Sequence, residues 1–86
     1  MPRALSLHRS IVPAGDRATY FDRLRVRQAH YRNAKCKFWV FEEAALAGAF
    51  IEFIEGPDAA TLAAAHASSP DAVLDPARIY SEVELT

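Results

Sequence analysis

The spacing of apolar residues changes along the chain and so predicts strands that alternate with helices. Residues 4–12 alternate between apolar and polar side chains, which is typical of a strand. Residues 16–34 instead carry apolar and aromatic side chains at helical spacing, with charged residues on the opposite side. The stripe that this helix would bury consists of Tyr20, Phe21, Leu24, Gln28 and Tyr31.

The second half of the chain repeats this change of period. Residues 37–42 and 49–55 are rich in aromatic and β-branched side chains, which predicts two strands joined as a hairpin. Residues 57–67 are rich in alanine and begin with Pro-Asp, which favours a second helix. Residues 78–85 alternate again and predict a fourth strand.

The predicted order βαββαβ places the chain in the α+β class, as a single domain over residues 1–86. In the ferredoxin-like arrangement of this order, two helices cover one face of a four-stranded antiparallel sheet. The other face stays bare, and we expect it to carry Trp39, Phe41 and Phe50. Monomers rarely expose an apolar patch of that size, so the architecture predicts a partner or a ligand on this face.

Charge is unevenly distributed, although the formal net charge is only −1. Residues 1–41 hold nine Lys and Arg against two Asp, a balance of +7, and residues 42–86 have a balance of −8, from nine acidic residues against one Arg. One interpretation is a basic groove for an anionic partner. The favoured alternative is a solvated helix face that acidic strands of the same or a neighbouring subunit complement.

Cysteine content and hydropathy predict a cytoplasmic protein. Cys36 is the single cysteine, so no intrachain disulfide can form, and its neighbours Lys35 and Lys37 would lower its pKa. Residues 1–10 contain no long apolar run, which argues against a secretory signal. Residues 44–51 are apolar but far too few to span a bilayer, so no membrane association is expected.

Two segments give the chain a resemblance to a known superfamily. The run Val12-Pro13-Ala14-Gly15-Asp16-Arg17 precedes the long helix, and Phe38-Trp39-Val40-Phe41-Glu42 faces Gly48-Ala49-Phe50-Ile51-Glu52-Phe53 in the predicted hairpin. Together with the element order, these segments resemble the dimeric α/β-barrel superfamily, which includes small quinol-type monooxygenases and stress-responsive barrel proteins. The resemblance implies a homodimer whose two sheets meet face to face and enclose an interior for a small molecule.

Strand parity then decides which side chains would line that interior. We expect Leu5, Leu7, Ile51 and Phe53 to face the helices. The residues of opposite parity, expected inside the barrel, are Ser6, His8, Ser10, Phe50, Glu52 and Ile54, with Tyr80, Glu82 and Glu84 from the last strand. Pairing Phe41 with Phe50 would add Trp39 and Phe41, whereas a slip by one residue would bring in Phe38 and Val40 instead.

A carboxylate–imidazole pair is the candidate chemistry of this interior. His8 with Glu52 or Glu82 could abstract a proton from a small substrate, while Trp39, Phe41, Phe50 and Tyr80 held its ring. The main hypothesis is therefore binding of a small organic molecule. One alternative is a cofactor-independent monooxygenase- or isomerase-like enzyme with His8 as base. The other is a structural or regulatory dimer with a packed interior.

Other function classes find little support in the sequence. His8, His30 and His66 have no metal-ligand spacing, and no motif predicts a cofactor. The βαββαβ order is shared with RNA-recognition domains, but Glu52 and Glu55 would repel phosphates on the sheet. We therefore expect no metal, no cofactor and no nucleic-acid partner.

Overall fold

The computed structural model describes residues 2–85, so Met1 and Thr86 of the predicted domain lie outside the described residues. The elements in chain order are β1 (Ala4–Ile11), α1 (Arg17–Asn33), β2 (Lys37–Glu42), β3 (Ala49–Gly56), α2 (Ala59–Ala67) and β4 (Tyr80–Ser81). A 3₁₀ turn, Ala14–Asp16, leads into α1. This order confirms the predicted βαββαβ sequence of elements in an α+β fold.

The four strands form one antiparallel sheet in the order β2-β3-β1-β4, which is compatible with the ferredoxin-like arrangement. Both helices lie on the same face of this sheet. The hydrophobic core between them and the sheet consists of Ala4, Leu24, Tyr31, Cys36, Phe38, Ile54, Leu62 and Ala65. Leu24 and Tyr31 belong to the predicted stripe of α1, which explains how that helix docks on the sheet.

The helices differ from the prediction mainly at their ends. Asp58 caps α2, accepting a hydrogen bond from the backbone N–H of Thr61 at 2.7 Å, so the helix begins at Ala59 rather than at Pro57. Asp16 occupies the N-cap position of α1, as predicted, without a side-chain hydrogen bond. Within residues 2–85, neither helix combines the length and the apolar character that crossing a membrane would require.

The last strand is much shorter than the predicted residues 78–85. Only Tyr80 and Ser81 form it, pairing with Leu5 and Ala4. Within the described residues, the outer edge of β1 from Ser6 onward therefore has no partner strand. The chain between α2 and β4 runs as a loop instead, which leaves room for a cleft beside this edge.

On β1 and β3 the two faces of the sheet are assigned in the opposite way to the prediction, whereas Trp39 and Phe41 of β2 lie on the bare face as expected. The carboxylate of Glu52 bonds to α1 and the hydroxyl of Ser6 bonds to α2, so residues of this parity face the helices. Phe50 and Ile54 share that parity and are buried. The prediction for the even-numbered residues of β1 and β3 is therefore wrong. They face the helices instead of pointing away from them: Ser6, His8, Ser10, Phe50, Glu52 and Ile54. The reason is that Ile51 and Phe53 are apolar too, so hydropathy alone could not identify the buried face.

The hairpin register follows the slipped alternative. Phe41 pairs with Ile51 and Val40 with Glu52, so Val40 shares the helix side with Glu52. Trp39 and Phe41 consequently remain on the other side, 40% and 56% exposed. We name this side the open face, formed by Leu5, Leu7, Arg9, Ile11, Lys37, Trp39, Phe41, Ile51, Phe53, Glu55 and Tyr80.

The basic residues of α1 are matched by acidic residues on the strands. Arg17 forms an ion pair with Glu42 at 2.8 Å, and Arg27 forms one with Glu52 at 3.0 Å. Both acidic partners lie on strands of the same protomer. The uneven charge of the sequence is therefore complemented within the chain, which agrees with the second of the two interpretations above.

Candidate functional site

A cleft of about 510 Å³ opens between the unpaired edge of β1, helix α1 and the loop of residues 68–79. It is lined by apolar residues of the loop and sheet, among them Val12, Ile54 and Val73. The polar side chains of its wall that matter here are Ser6, His8, Tyr20, Arg27, Glu52 and His66. The volume of this cleft is in the range of small-molecule sites, and its wall carries more polar and charged side chains than apolar ones.

A buried ion pair between β3 and α1 forms one wall of the cleft. Glu52 Oε1 accepts hydrogen bonds from Arg27 Nε at 3.2 Å and Nη2 at 3.0 Å, while Oε2 accepts from Nη2 at 3.0 Å. The side chains of Arg27 and Glu52 are only 15% and 5% exposed. Arg27 Nη1 also donates to Asp71 at 2.9 Å, which ties the loop of residues 68–79 to α1.

Tyr20 completes the hydrogen bonding of Glu52. Its hydroxyl donates to Glu52 Oε2 at 2.9 Å, and burial raises the pKa of Tyr20 to about 12. The phenol is therefore protonated at neutral pH and serves as a donor. Since each oxygen of Glu52 already accepts two hydrogen bonds, this carboxylate is poorly placed to take a proton from a substrate.

A second polar group, at the back of the cleft, links both helices to β1. The hydroxyl of Tyr31 and Nδ1 of His66 lie 2.7 Å apart, and Nε2 of His66 lies 3.0 Å from Ser6 Oγ. All three residues are buried. Burial, followed by the nearby His30, lowers the pKa of His66, so its imidazole is neutral at pH 7. Burial likewise raises the pKa of Tyr31.

The structure brings together two of the three predicted catalytic residues. His8 and Glu52 are directly opposite in the β1–β3 ladder, on the same face, and both line the cleft. Glu82 lies elsewhere, where it accepts hydrogen bonds from Arg3 Nε at 3.0 Å and Nη2 at 2.7 Å. Because Arg3 is five residues before His8, roughly 17 Å along an extended strand, Glu82 is remote from the His8–Glu52 pair.

The four aromatic residues predicted to hold a ligand ring do not form one group. Trp39 and Phe41 lie on the open face, whereas Phe50 packs beneath α1, with its ring centroid 4.9 Å from that of Tyr20. Tyr80 pairs with Leu5 and lines the edge of the cleft, half exposed. Of these four residues, Tyr80 alone borders the cleft that contains His8 and Glu52.

Several cleft residues were missed by sequence reasoning, although one of them leaves a signal. Arg27 lies seven residues after Tyr20 and four before Tyr31, so it occupies the apolar stripe of α1. A charged residue in such a stripe indicates a buried partner. Asp71 leaves no comparable signal, because its role depends on Arg27, which is distant in sequence.

The remaining thiol and imidazole groups do not add to the site. Cys36 is buried, and burial, with a contribution from Asp58, raises its pKa, contrary to the lowering predicted from its lysine neighbours. His30 is half-buried, and its Nε2 donates to the carbonyl of Ala65 at 2.8 Å. Within residues 2–85, no three His, Cys, Asp or Glu side chains are grouped so that they could hold a metal ion.

Comparisons with models of protein families, with curated proteins and with solved structures find no match to this chain. The fold by itself does not assign an activity, since the ferredoxin-like arrangement carries many unrelated functions. The features of this chain that bear on function are therefore the cleft and the open face.

Proposed function

We propose that this protein binds a small organic molecule in the cleft between its sheet and α1, and that it assembles as a homodimer through the open face. The observation that carries the proposal is the cleft itself, about 510 Å³ in volume, with the buried Glu52–Arg27 pair in its wall. Buried polar groups with fixed geometry in the wall of a cleft provide orientation and specificity for a ligand.

The proposed position of the ligand differs from the one that the family resemblance implied. That resemblance suggested an interior between two sheets, lined by His8, Phe50 and Glu52. These side chains belong to the helix side of the sheet, so a ligand that contacts Glu52 lies within one protomer. The open face is mainly apolar and suits close packing against a partner rather than recognition of a polar molecule.

A second copy of the chain is the proposed occupant of the open face. Its central side chains, including Trp39, Phe41 and Leu7, are 40–56% exposed in one protomer. Charged residues lie only toward its ends, with Arg9 toward one end and the neighbours Lys37 and Glu55 at the other. A two-fold related pairing can leave these charges at the rim while it buries the aromatic centre, as the dimeric barrel arrangement would.

Filling the cleft tests the ligand proposal. We expect freshly purified protein, or protein mixed with a library of small organic fragments, to retain bound compounds in native mass spectrometry. Val73→Trp should abolish this retention, because Val73 lines the cleft and a tryptophan there occupies its volume. Val83→Trp is the matched control, since Val83 is 74% exposed and lies outside the cleft.

If Val73→Trp retains the same compounds as the wild type, the ligand site lies elsewhere. If the wild-type protein retains no compound at all, the rival hypothesis of a structural dimer is favoured instead.

An enzyme with His8 as base is the second candidate function. It is favoured by the direct pairing of His8 with Glu52 at the cleft, where the imidazole remains solvent-exposed. In this version Glu52 organises Arg27 and Tyr20, and His8 alone exchanges the proton. His8→Ala should abolish turnover of a bound compound while leaving its affinity within about threefold. Unchanged turnover would exclude His8 as the base.

A further inference from the structure

Tyr31, His66 and Ser6 form a continuous hydrogen-bonded chain that ends in the cleft. The two links measure 2.7 Å, from Tyr31 Oη to His66 Nδ1, and 3.0 Å, from His66 Nε2 to Ser6 Oγ. A neutral imidazole has one nitrogen that donates and one that accepts. The chain therefore runs in one of two directions, and the direction decides whether Ser6 has a free hydrogen.

The relative acidity of the two hydroxyl groups sets the direction. A phenol is a much stronger acid, and so a better donor, than an aliphatic hydroxyl, which favours donation from Tyr31 to Nδ1. The proton of His66 then resides on Nε2 and is donated to Ser6 Oγ. Ser6 Oγ therefore accepts a hydrogen bond from His66, and the hydroxyl hydrogen of Ser6 remains free to be donated to a ligand.

The cleft is the place where that hydrogen can be used. Ser6 lines it, next to the ion pair of Arg27 and Glu52. Glu52 has its two oxygens occupied by donors from Arg27 and Tyr20, so it offers little acceptor capacity to a ligand. Four arginines and three carboxylates line the cleft, so donors and positive charge are in excess. Asp71 pairs with Arg27 and Asp75 with Arg78, which leaves Arg9 and Arg23 as the excess cations of the lining. The polar groups of the cleft thus favour a ligand that accepts hydrogen bonds.

We infer that the hydroxyl of Ser6 donates a hydrogen bond to a carbonyl or carboxylate oxygen of the ligand, and that Tyr31 and His66 are positioning residues for this donor. The inference rests on the proposed function and names its ligand class. Small aromatic or aliphatic carboxylates and carbonyl compounds satisfy it, whereas protonated amines, which carry donors without acceptors, do not.

The protonation state of His66 gives a test that needs no ligand. In wild-type protein at pH 7.5, ¹⁵N NMR of the imidazole should show a neutral ring with its proton on Nε2. Tyr31→Phe removes the donor to Nδ1 and should convert this into a mixture of tautomers. A wild-type ring protonated on Nδ1 would reverse the direction of the chain and overturn the inference.

Binding of matched probes gives the second test. We expect benzoate to bind the wild-type cleft and to shift the amide signals of Ser6 and His66 in ¹H–¹⁵N spectra, and benzylamine to leave them unchanged. Ser6→Ala should weaken benzoate binding by at least about tenfold, the effect of one lost hydrogen bond to a charged group. Ser81→Ala, on the neighbouring strand β4, is the matched control: Ser81 is exposed and lies outside the cleft, so this change should alter binding by less than twofold.

The outcomes separate this inference from the proposed function. If benzoate does not bind, if benzylamine binds equally well, or if Ser6→Ala binds as the wild type does, the inference is wrong. Other compounds that Val73→Trp displaces from the cleft would still support the proposed function. If no compound of any class shifts cleft signals, the proposed function fails as well.

Discussion

Replacing Arg27 with methionine should lower the free energy of unfolding by about 3–5 kcal/mol, because the change leaves the charge of Glu52 buried without its partner. Glu52 retains only the hydroxyl of Tyr20 as a donor in this variant. The loop of residues 68–79 also loses its tie from Asp71 to α1. Urea unfolding at one fixed protein concentration measures the effect, since association would otherwise alter the apparent stability.

Two further variants test whether the loss of stability in Arg27→Met comes from its buried ion pair. Arg25→Met removes an arginine from the same helix, but its ion pair with Asp22 is exposed and should be worth less than about 0.5 kcal/mol. Adding Glu52→Leu to Arg27→Met removes the unpaired charge and should restore much of the lost stability. Equal effects of Arg25→Met and Arg27→Met would mean that the ion pair of Arg27 is not buried in solution.

Placing a charge on the open face should dissociate the proposed dimer. Phe41→Glu adds one carboxylate per protomer, and a two-fold interface brings two of them out of water together. If burying each of the two carboxylates costs at least about 1.4 kcal/mol, the dissociation constant of the dimer rises at least about 100-fold. Sedimentation equilibrium over a range of concentrations measures this constant directly.

Val26→Glu provides a closely matched control for the dimer. Val26 and Phe41 are both 56% exposed in the protomer, but Val26 lies on α1, on the opposite side of the molecule from the open face. Val26→Glu should therefore leave the dissociation constant within about twofold. A wild-type protein that is monomeric at micromolar concentration, or equal weakening by both variants, would contradict assembly through the open face.

Local periodicity was sufficient to predict the order of elements, because each helix and strand has a pattern that depends on its own residues. The long helix and the hairpin strands were predicted within about two residues of their positions. The fourth strand was predicted too long, since the alternation of residues 78–85 is present but only Tyr80 and Ser81 find a partner. Pairing depends on the neighbouring strand, and a single strand's pattern does not contain that information.

Which side of β3 packs against the helices could not be predicted, because both of its sides carry apolar residues. Glu52 looked like the polar, outward residue of the strand, yet its buried charge is compensated by Arg27 from α1. The signal was present on the helix instead, where Arg27 interrupts an apolar stripe. Reading the strand and the helix together, as two halves of one ion pair, would have identified the helix side of the sheet.

The candidate site was predicted only where its residues are cross-strand neighbours. His8 and Glu52 share parity and pair across β1 and β3, so sequence patterns could associate them. The contacts from Ser6 to His66 and from Tyr31 to His66 span 60 and 35 residues. These contacts follow from how both helices pack on the sheet, which residue spacing along one element does not specify.

The central claim is that the ligand lies between the sheet and α1 of one protomer. Intermolecular nuclear Overhauser effects from the tightest-binding fragment to assigned side chains test it most directly. The geometry predicts contacts from the fragment to Tyr20, Ile54 and Val73, which line the cleft. Contacts to Trp39 and Phe53 on the open face would instead place the ligand between two sheets and contradict the claim.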